Sequence, residues 1–447
     1  MERIPAIELT PAKSGEKIYV RLFSGVFRNL RRVISWPLLA AYFGLVWLQW
    51  DGAPVLLFSF EDGRLYFFGT QWGWQDLPVM AGILIIAAIG LFAASALIGR
   101  VWCGMACPQS IWTWMFLAVE EFTEGSAWNR RRADSEGLTL SQWIRRFSKH
   151  LIWGLLALWT AITFTGYFVP VREILTGLIG TSPDMAVWGW VLLMGSLTYL
   201  NAGLVREKIC LHACPYSRFQ STMFDDNTRT VSYDAQRGEG GAGVGNYKDG
   251  DCINCKLCVQ VCPTGIDIRE GLQAACIDCG ACIDACDSVM DKLGRARGLI
   301  GYRSHNILKG LPSPFLNLRS GGYVVVFSLS LIALIAFISL RPELSVAVTR
   351  DRQSLYQVMP DDTVCNSYDL EVDTFAGRDT QVHVRVEGLE GVAIKGASSF
   401  VVREVGSSLK RYQLCVDRPL PRKTDIEFIV RSDMDEVHKT TSFFYGN

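Results

Sequence analysis

The sequence lacks an excess of charge of either sign. Its 447 residues carry 44 Lys and Arg against 44 Asp and Glu, so net charge alone excludes no class of partner. It contains no CxxCH run, which excludes covalent attachment of a c-type haem. Histidine is scarce, five residues in all, and none falls inside the long apolar runs, which argues against a membrane b haem. No cleavable signal peptide is expected, because the largely polar residues 1–32 precede the first apolar run and no small-residue cleavage site follows it. A literal GxGxxG at Gly238, Gly240 and Gly243 has no apolar strand before it and no helical pattern after it. A flexible linker is expected there, with no dinucleotide site. No nucleic-acid partner is expected.

Apolar residues are abundant: 49% of the chain is hydrophobic, too much for an ordinary soluble protein. Runs close to the length that crosses a bilayer, about 20 residues, occupy residues 33–50, 77–98, 151–169, 186–205 and 323–340, and five spans are expected. Residues 1–32 and 100–149 each hold seven Lys and Arg and residues 287–319 hold six, whereas loops 51–76 and 170–185 hold only Arg64 and Arg172. The positive-inside rule then puts the N-terminus in the cytoplasm and the C-terminus outside it. A shorter run, IWTWMFLAVEEF at 111–122, ends in Glu120 and Glu121 and is expected as an interfacial or re-entrant helix, with Trp112 and Trp114 at the headgroups.

The cysteines carry the chemistry. Eight of the fourteen crowd into 35 residues and the others form three pairs. CINCKLCVQVCP supplies Cys252, Cys255, Cys258 and Cys262, and CIDCGACIDAC supplies Cys276, Cys279, Cys282 and Cys286. Three closely spaced thiolates wrap one face of a cubane and the fourth ligand comes from the other run. The expected ligands are Cys252, Cys255, Cys258 and Cys286 for one [4Fe-4S] cluster, and Cys276, Cys279, Cys282 and Cys262 for a second. Zinc also binds paired CxxC motifs, but a CxxCxxCxxxC repeated twice favours clusters. Reduced thiols agree with a cytosolic position.

Two further stretches share a frame: IGRVWCGMACPQS and VREKICLHACPYS each place CxxxCP after an apolar run and basic residues, which suggests an internal duplication. If both are helical, Cys103 with Cys107 and Cys210 with Cys214 form two dithiol edges, and Pro108 and Pro215 mark either a helix break or the first residue of a new helix. Should the two ends meet, four thiolates converge in a site suited to Cu(I), another iron-sulfur centre or zinc, with Met105 and His212 as optional ligands. Packing cysteines at a bilayer boundary are the plainer alternative.

Residues 341–447 alternate apolar and polar positions between Gly, Pro and Asp turns, and an all-β, immunoglobulin-like sandwich of about seven strands is expected. Its Cys365 and Cys415 suit a disulfide between distant strands in an oxidising compartment; a metal role with Met359 or His383 is the alternative. The expected organisation is an N-terminal cytoplasmic segment 1–32, a four-span membrane domain 33–222, a linker 223–250, a ferredoxin-like domain 251–290, a linker 291–322, a fifth transmembrane helix 323–340 and an outer sandwich 341–447.

IGRVWCGMACPQ, the double ferredoxin run, the terminal sandwich, YVRLFSGVFRNLRR before the first span and FGTQWGWQD before the second resemble the FixG/RdxA/CcoG family over nearly the whole chain. The resemblance implies a multi-pass protein of the bacterial inner membrane that acts in cytochrome oxidase assembly as a cupric reductase. It implies that the eight ferredoxin cysteines bind clusters and that Cys103, Cys107, Cys210 and Cys214 serve a catalytic redox or copper site. Expected partners are membrane lipid, oxidase assembly factors or copper chaperones, and an unidentified cytoplasmic electron donor; a homodimer is left open. Cys365 and Cys415 are no hallmark of that family. An electron-transfer subunit for a periplasmic reductase and a non-redox assembly scaffold are the rival readings.

Overall fold

The computed structural model describes residues 17–446 apart from residues 51, 61–62, 74–75, 138, 180–183, 240–249, 341–343, 352–355, 361–362, 375–378, 390, 403–405, 418–420, 422 and 434–436. The chain divides into two compact units, one formed by residues 1–47 and 81–333 and the other by residues 48–80 and 334–447.

Among the described residues four helices are long and apolar enough to cross a membrane: Leu77–Ile98, Leu140–Thr165, Met185–Val205 and Leu318–Ser339. Their outward faces carry exposed Leu84, Leu155, Leu192 and Ile332, an arrangement stable in hydrocarbon and costly in water. The first expected span differs. Its helix, Val26–Gly44, starts seven residues earlier and carries Arg28, Arg31 and Arg32 in its first two turns, and the chain leaves helical geometry after a short turn at Leu45–Trp47. The first turn is helical because Asp284, distant in sequence, accepts from the backbone N–H groups of Phe27 and Arg28 at 3.0 and 2.9 Å. The third expected span also starts earlier, at Leu140, where Thr139 and Gln142 form a reciprocal capping box. That extension takes His150 into a membrane-length helix, contrary to the expectation that no histidine lies in one; its Nδ1 stands 2.7 Å from the Tyr199 hydroxyl.

Residues 111–122 belong to the helix Pro108–Glu124, which buries Leu117 and packs Phe116 against Trp153 and Ala157 of Leu140–Thr165. The two tryptophans expected at lipid headgroups have protein partners: Trp112 Nε1 donates to Thr160 Oγ1 at 3.1 Å, and the Arg31 guanidinium covers Trp114 at 4.2 Å. Glu120, 2% exposed and one turn before the end of this helix, lies between Arg130 at 3.0 Å and Arg206 at 2.6 Å. Removing one partner of such a buried cluster would strand the others without compensation.

Both flanks expected as linkers contain ordered structure. Thr230–Tyr233 and Ile300–Arg303 pair as an antiparallel two-stranded sheet whose Val231, Tyr233 and Ile300 pack on the cysteine-rich segment. A strand therefore does precede Gly238, but it belongs to this sheet; Gly240 and Gly243 lie outside the described residues.

In the second unit, one sheet runs in the order Ala393–Lys395, Gly406–Val416, Val364–Thr374, Leu344–Arg350, with Gln357–Val358 added on Val364–Thr374. The other runs Ser399–Val402, Thr380–Glu387, Thr424–Ser432, Val437–Phe444. Nine strands are present among the described residues, against about seven expected; two of them, Gln357–Val358 and Ala393–Lys395, are too short to show an alternating pattern. Tyr368, Leu370, Tyr412, Phe428 and Phe444 fill the space between the sheets. Cys365 and Cys415 face each other in the register of neighbouring strands and form a disulfide, so the bridge lies within one sheet and the metal alternative loses both its thiols. Arg64, from a three-stranded sheet near the start of this unit, pairs with Glu371 at 2.7 Å.

Candidate metal centre

The two ferredoxin runs adopt the same backbone path. Asn254 and Lys256 in the first, and Asp278 and Gly280 in the second, all have φ between 50° and 71°. These are the second and fourth residues after Cys252 and after Cys276, and left-handed geometry there turns the chain around the space between the cysteines. A short helix, Leu257–Gln260, then carries Cys258, and the helix Ala281–Lys292 carries Cys282 and Cys286.

Two cavities result. Cys252, Cys255, Cys258 and Cys286 line one, together with Ile253, Leu257, Met290 and Ile300. Cys262, Cys276, Cys279 and Cys282 line the other, with Cys258 at its edge. Cys286 and Cys262, the fourth ligands expected from the spacing, each line the cavity of the run opposite their own. Burial pushes the Cys258 and Cys286 thiols up to about 12, and Cys276, Cys279 and Cys282 upward too, chiefly for the same reason. Protonated thiols in an apolar shell release protons when metal binds. Four sulfur donors around each enclosed, largely apolar cavity fit a cubane, which supplies one-electron transfer when bound. Among the described residues no three His, Cys, Asp or Glu side chains are set to hold a single ion. Ligands of separate irons in a cubane stand wider apart than the ligands of one ion, so this agrees with the donor arrangement.

The CxxxCP motifs differ from the helical edges expected. Cys103 sits in the helix Val101–Met105, but Cys107 is extended, at φ −62° and ψ 128°, and precedes a new helix whose first residue is Pro108. Cys210 sits in a π-helical turn, Ile209–Ala213, and Cys214 is likewise extended before Pro215. Proline cannot donate to the turn behind it, so each motif breaks between its cysteines. The duplication survives in detail: Ser110 Oγ donates to the Cys103 carbonyl at 2.5 Å and Ser217 Oγ to the Cys210 carbonyl at 2.8 Å, each seven residues on.

The two motifs lie near one another, although among the described residues no three of their thiols are set to hold a single ion. Burial raises Cys103 to about 12, with Cys107, Cys210 and Cys214 adding to the rise, and raises Cys210 to about 11, with Cys107 and Cys214 adding to it. Cys103 Sγ donates to Gln220 Oε1 at 3.3 Å, joining the first motif to the helix after the second. His212 and Met105, the optional ligands, lie on the intervening turns.

This dithiol site abuts the second ferredoxin run. A Cβ added to Gly104 would stand 2.8 Å from the Ile277 and Asp278 carbonyls and from Cys279 Cα, so only glycine allows this approach. Arg31 bridges the same surfaces, donating to the Gly104 carbonyl at 3.1 Å and the Cys279 carbonyl at 2.6 Å. Arg100 donates from its guanidinium to the carbonyls of Cys276 at 3.1 Å, Ser217 at 2.6 Å and Ala274. The buried Asp278 carboxylate accepts from the backbone N–H groups of Arg100 at 2.8 Å and Val231 at 3.0 Å. Sequence reading missed Arg31, Arg100, Asp278 and Gln220. The only signal was position, since each lies within a few residues of a span end or a cysteine motif.

Family models place these segments. One described as "4Fe-4S dicluster domain" matches residues 205–305, one described as "4Fe-4S binding domain" matches residues 80–112, and one for the "IG-like fold at C-terminal of FixG" matches residues 334–447. Protein RdxA of Cereibacter sphaeroides is 36% identical over 418 residues, which cover 90% of this chain and 89% of RdxA. The chain belongs to the FixG/RdxA family. RdxB of the same organism is 35% identical over 87% of this chain and 86% of its own. Nitrogen fixation protein FixG of Rhizobium meliloti is 35% identical over 64% of this chain and 57% of its own. A crystal structure of a FixG-related protein from Vibrio parahaemolyticus covers 24% of this chain and 99% of its own at 22% identity, with a TM-score of 0.23. This member of the FixG/RdxA family is an iron-sulfur electron-transfer protein with membrane-length helices.

Proposed function

We propose that this FixG/RdxA-family protein passes electrons through its ferredoxin-like cysteines to the paired CxxxCP thiols and there reduces Cu(II) to Cu(I) for assembly of an oxidase copper centre. The observation that carries the reading is the backbone contact between Gly104, inside the first CxxxCP motif, and residues 277–279 of the second ferredoxin run. Exposed Cys255 makes its ligand set the entry side, and buried Cys276 and Cys279 make theirs the side next to the dithiols. Cu(II) accepts one electron, a ferredoxin-type centre gives one, and the product prefers soft thiolate ligands. The distribution of basic residues supports a cytoplasmic N-terminus and ferredoxin segment, with the sandwich on the periplasmic side of a bacterial inner membrane as a platform for an assembly factor or copper chaperone.

The test is Cu(I) formation, read with a Cu(I)-specific chelator, by anaerobically purified, dithionite-reduced protein after removal of excess reductant. Changing Cys103, Cys107, Cys210 and Cys214 to Ala should abolish reduction while leaving the ferredoxin clusters in place. Unchanged reduction would remove the dithiol site from the pathway, and no reduction by cluster-loaded protein would favour a scaffold.

A second reading has an observation of its own: the "4Fe-4S binding domain" match at residues 80–112 includes Cys103 and Cys107. On that reading the four thiols hold a further iron-sulfur centre, and the electron acceptor is another protein.

A further inference from the structure

The function proposed above leaves the electron donor unnamed, and one cavity supplies a chemical class for it. Between the helices Val26–Gly44, Pro108–Glu124, Leu140–Thr165 and Met185–Thr198 lies a mostly apolar hollow of about 510 Å³, within the range of small-molecule sites. Its wall includes Trp102, Ala106 and Pro108, so it runs directly behind Cys107 and beside Cys103. Leu38, Trp102 and Phe164 are exposed at its mouth, and Phe164 belongs to the membrane-length helix Leu140–Thr165.

Two features set it apart from a gap that an acyl chain fills. The first is polar: Gln109 and Asn201 are among its lining residues. Gln109 Nε2 is held by the Asn201 carbonyl at 3.1 Å, which leaves its Oε1 without a hydrogen bond among the described residues, and no described hydrogen bond uses the Asn201 carboxamide. Both residues are only part-buried, so a molecule in the hollow can meet these polar atoms. The second is the backbone. Asn201 lies in a π-helical segment, Tyr199–Val205, where the Arg206 N–H bonds the Asn201 carbonyl five residues back, a local widening frequent at functional sites.

We propose that this hollow binds a membrane quinone: the apolar wall takes the ring and the start of its isoprenoid tail, the Asn201 amide donates to one ring oxygen, and the Gln109 carbonyl oxygen accepts from the hydroxyl of the reduced form. The proposal rests on the copper-reduction reading above, adds the donor, and moves the entry of electrons from the side of exposed Cys255 to the CxxxCP side, next to which the hollow lies. Oxidation of one bound hydroquinone to quinone breaks two O–H bonds and releases two protons to water. Its two electrons leave singly through the chain's redox centres and convert two Cu(II) to two Cu(I).

The experiment uses the full chain in phosphatidylcholine nanodiscs stripped of native quinone, titrated with decylubiquinone while tryptophan fluorescence is read, since Trp102 and Trp112 line the hollow. Saturable quenching is expected. Asn201→Leu should weaken binding about tenfold, the loss of one hydrogen bond in a site poor in water. Ala106→Phe should fill the space and remove the saturable component, and Trp112→Phe should reduce its amplitude. Cluster absorbance checks that each variant is folded, and the Trp112 variant serves if another does not fold. Non-saturable quenching, equal in wild type and variants, would overturn the proposal, as would displacement of decylubiquinone by an equal concentration of n-decanol. Saturable binding by protein that fails to reduce Cu(II) would keep the quinone site and remove the copper reading. Copper reduction with dithionite but no quinone binding would do the reverse.

Discussion

Replacing Gly104 by Ala tests the contact on which the electron path depends. The added methyl would meet three backbone atoms at 2.8 Å, and backbone atoms of a cluster-binding loop cannot rotate aside as a side chain would. Relief requires a separation of roughly half an ångström between the helix Val101–Met105 and residues 277–279, which also stretches the Arg31 bridge. Overpacking of this kind costs about 1–3 kcal/mol. The control is Gly154→Ala, in the helix Leu140–Thr165, where an added Cβ meets nothing within 4 Å. The assay is thermal unfolding of the cluster-loaded protein together with electron paramagnetic resonance after reduction. Gly104→Ala should lower the midpoint by several degrees and alter the signal of the cluster held by Cys276, Cys279, Cys282 and Cys262, while the other cluster and Gly154→Ala remain as wild type. A Gly104→Ala protein with unchanged midpoint and unchanged signals would refute the close docking of the two cysteine systems.

Other outcomes follow from the same geometry. Anaerobic protein should contain about eight iron and eight inorganic sulfide per chain, rising to about twelve of each if the CxxxCP thiols hold a further cubane; zinc without iron would end the redox account. Cys286→Ala should remove the cluster beside exposed Cys255 and spare the one beside Gly104, whereas loss of the buried cluster alone would reverse the ligand exchange. Metal-free, unreduced, unfolded protein should show twelve reactive thiols, the fourteen cysteines less the Cys365–Cys415 pair, and fourteen would disprove the disulfide. Burial pushes the Asp134 carboxyl up, but hydrogen bonds from Lys17, Tyr19 and Arg146 outweigh it and hold it well below the ordinary 3.8. A depressed carboxylate stabilises fully above its unfolded pKa and loses that contribution as pH falls toward its folded one. Limited proteolysis near Lys17 should therefore stay constant from pH 8 to about 5 and increase below about 4, and Asp134→Asn should show the increase already at pH 7; proteolysis of that variant at the wild-type rate would count against the tether.

The spacing of three thiolates and a distant fourth, dictated by the shape of a cubane, marked the eight ferredoxin cysteines as two expected ligand sets, and each set lines its own cavity. The sequence also marked the four helices long enough for a bilayer, together with a fifth run at residues 33–50 that is not among them, and the alternating strands of the sandwich, since periodicity and run length are local properties. It could not determine where a helix starts when its cap comes from elsewhere: the helix Val26–Gly44 begins in its arginines because Asp284 caps it. Nor could spacing alone reveal that each CxxxCP breaks between its cysteines, because a four-residue interval is compatible with one helix, and the break appears only when Pro108 and Pro215 start new ones. The nearness of the two motifs, the docking of Gly104 on residues 277–279, and the roles of Arg31 and Arg100 were decided by tertiary structure. These contacts join segments 70 to 250 residues apart, roughly, and depend on absent side chains and shared carbonyls, which leave no periodic trace in a chain read one residue at a time.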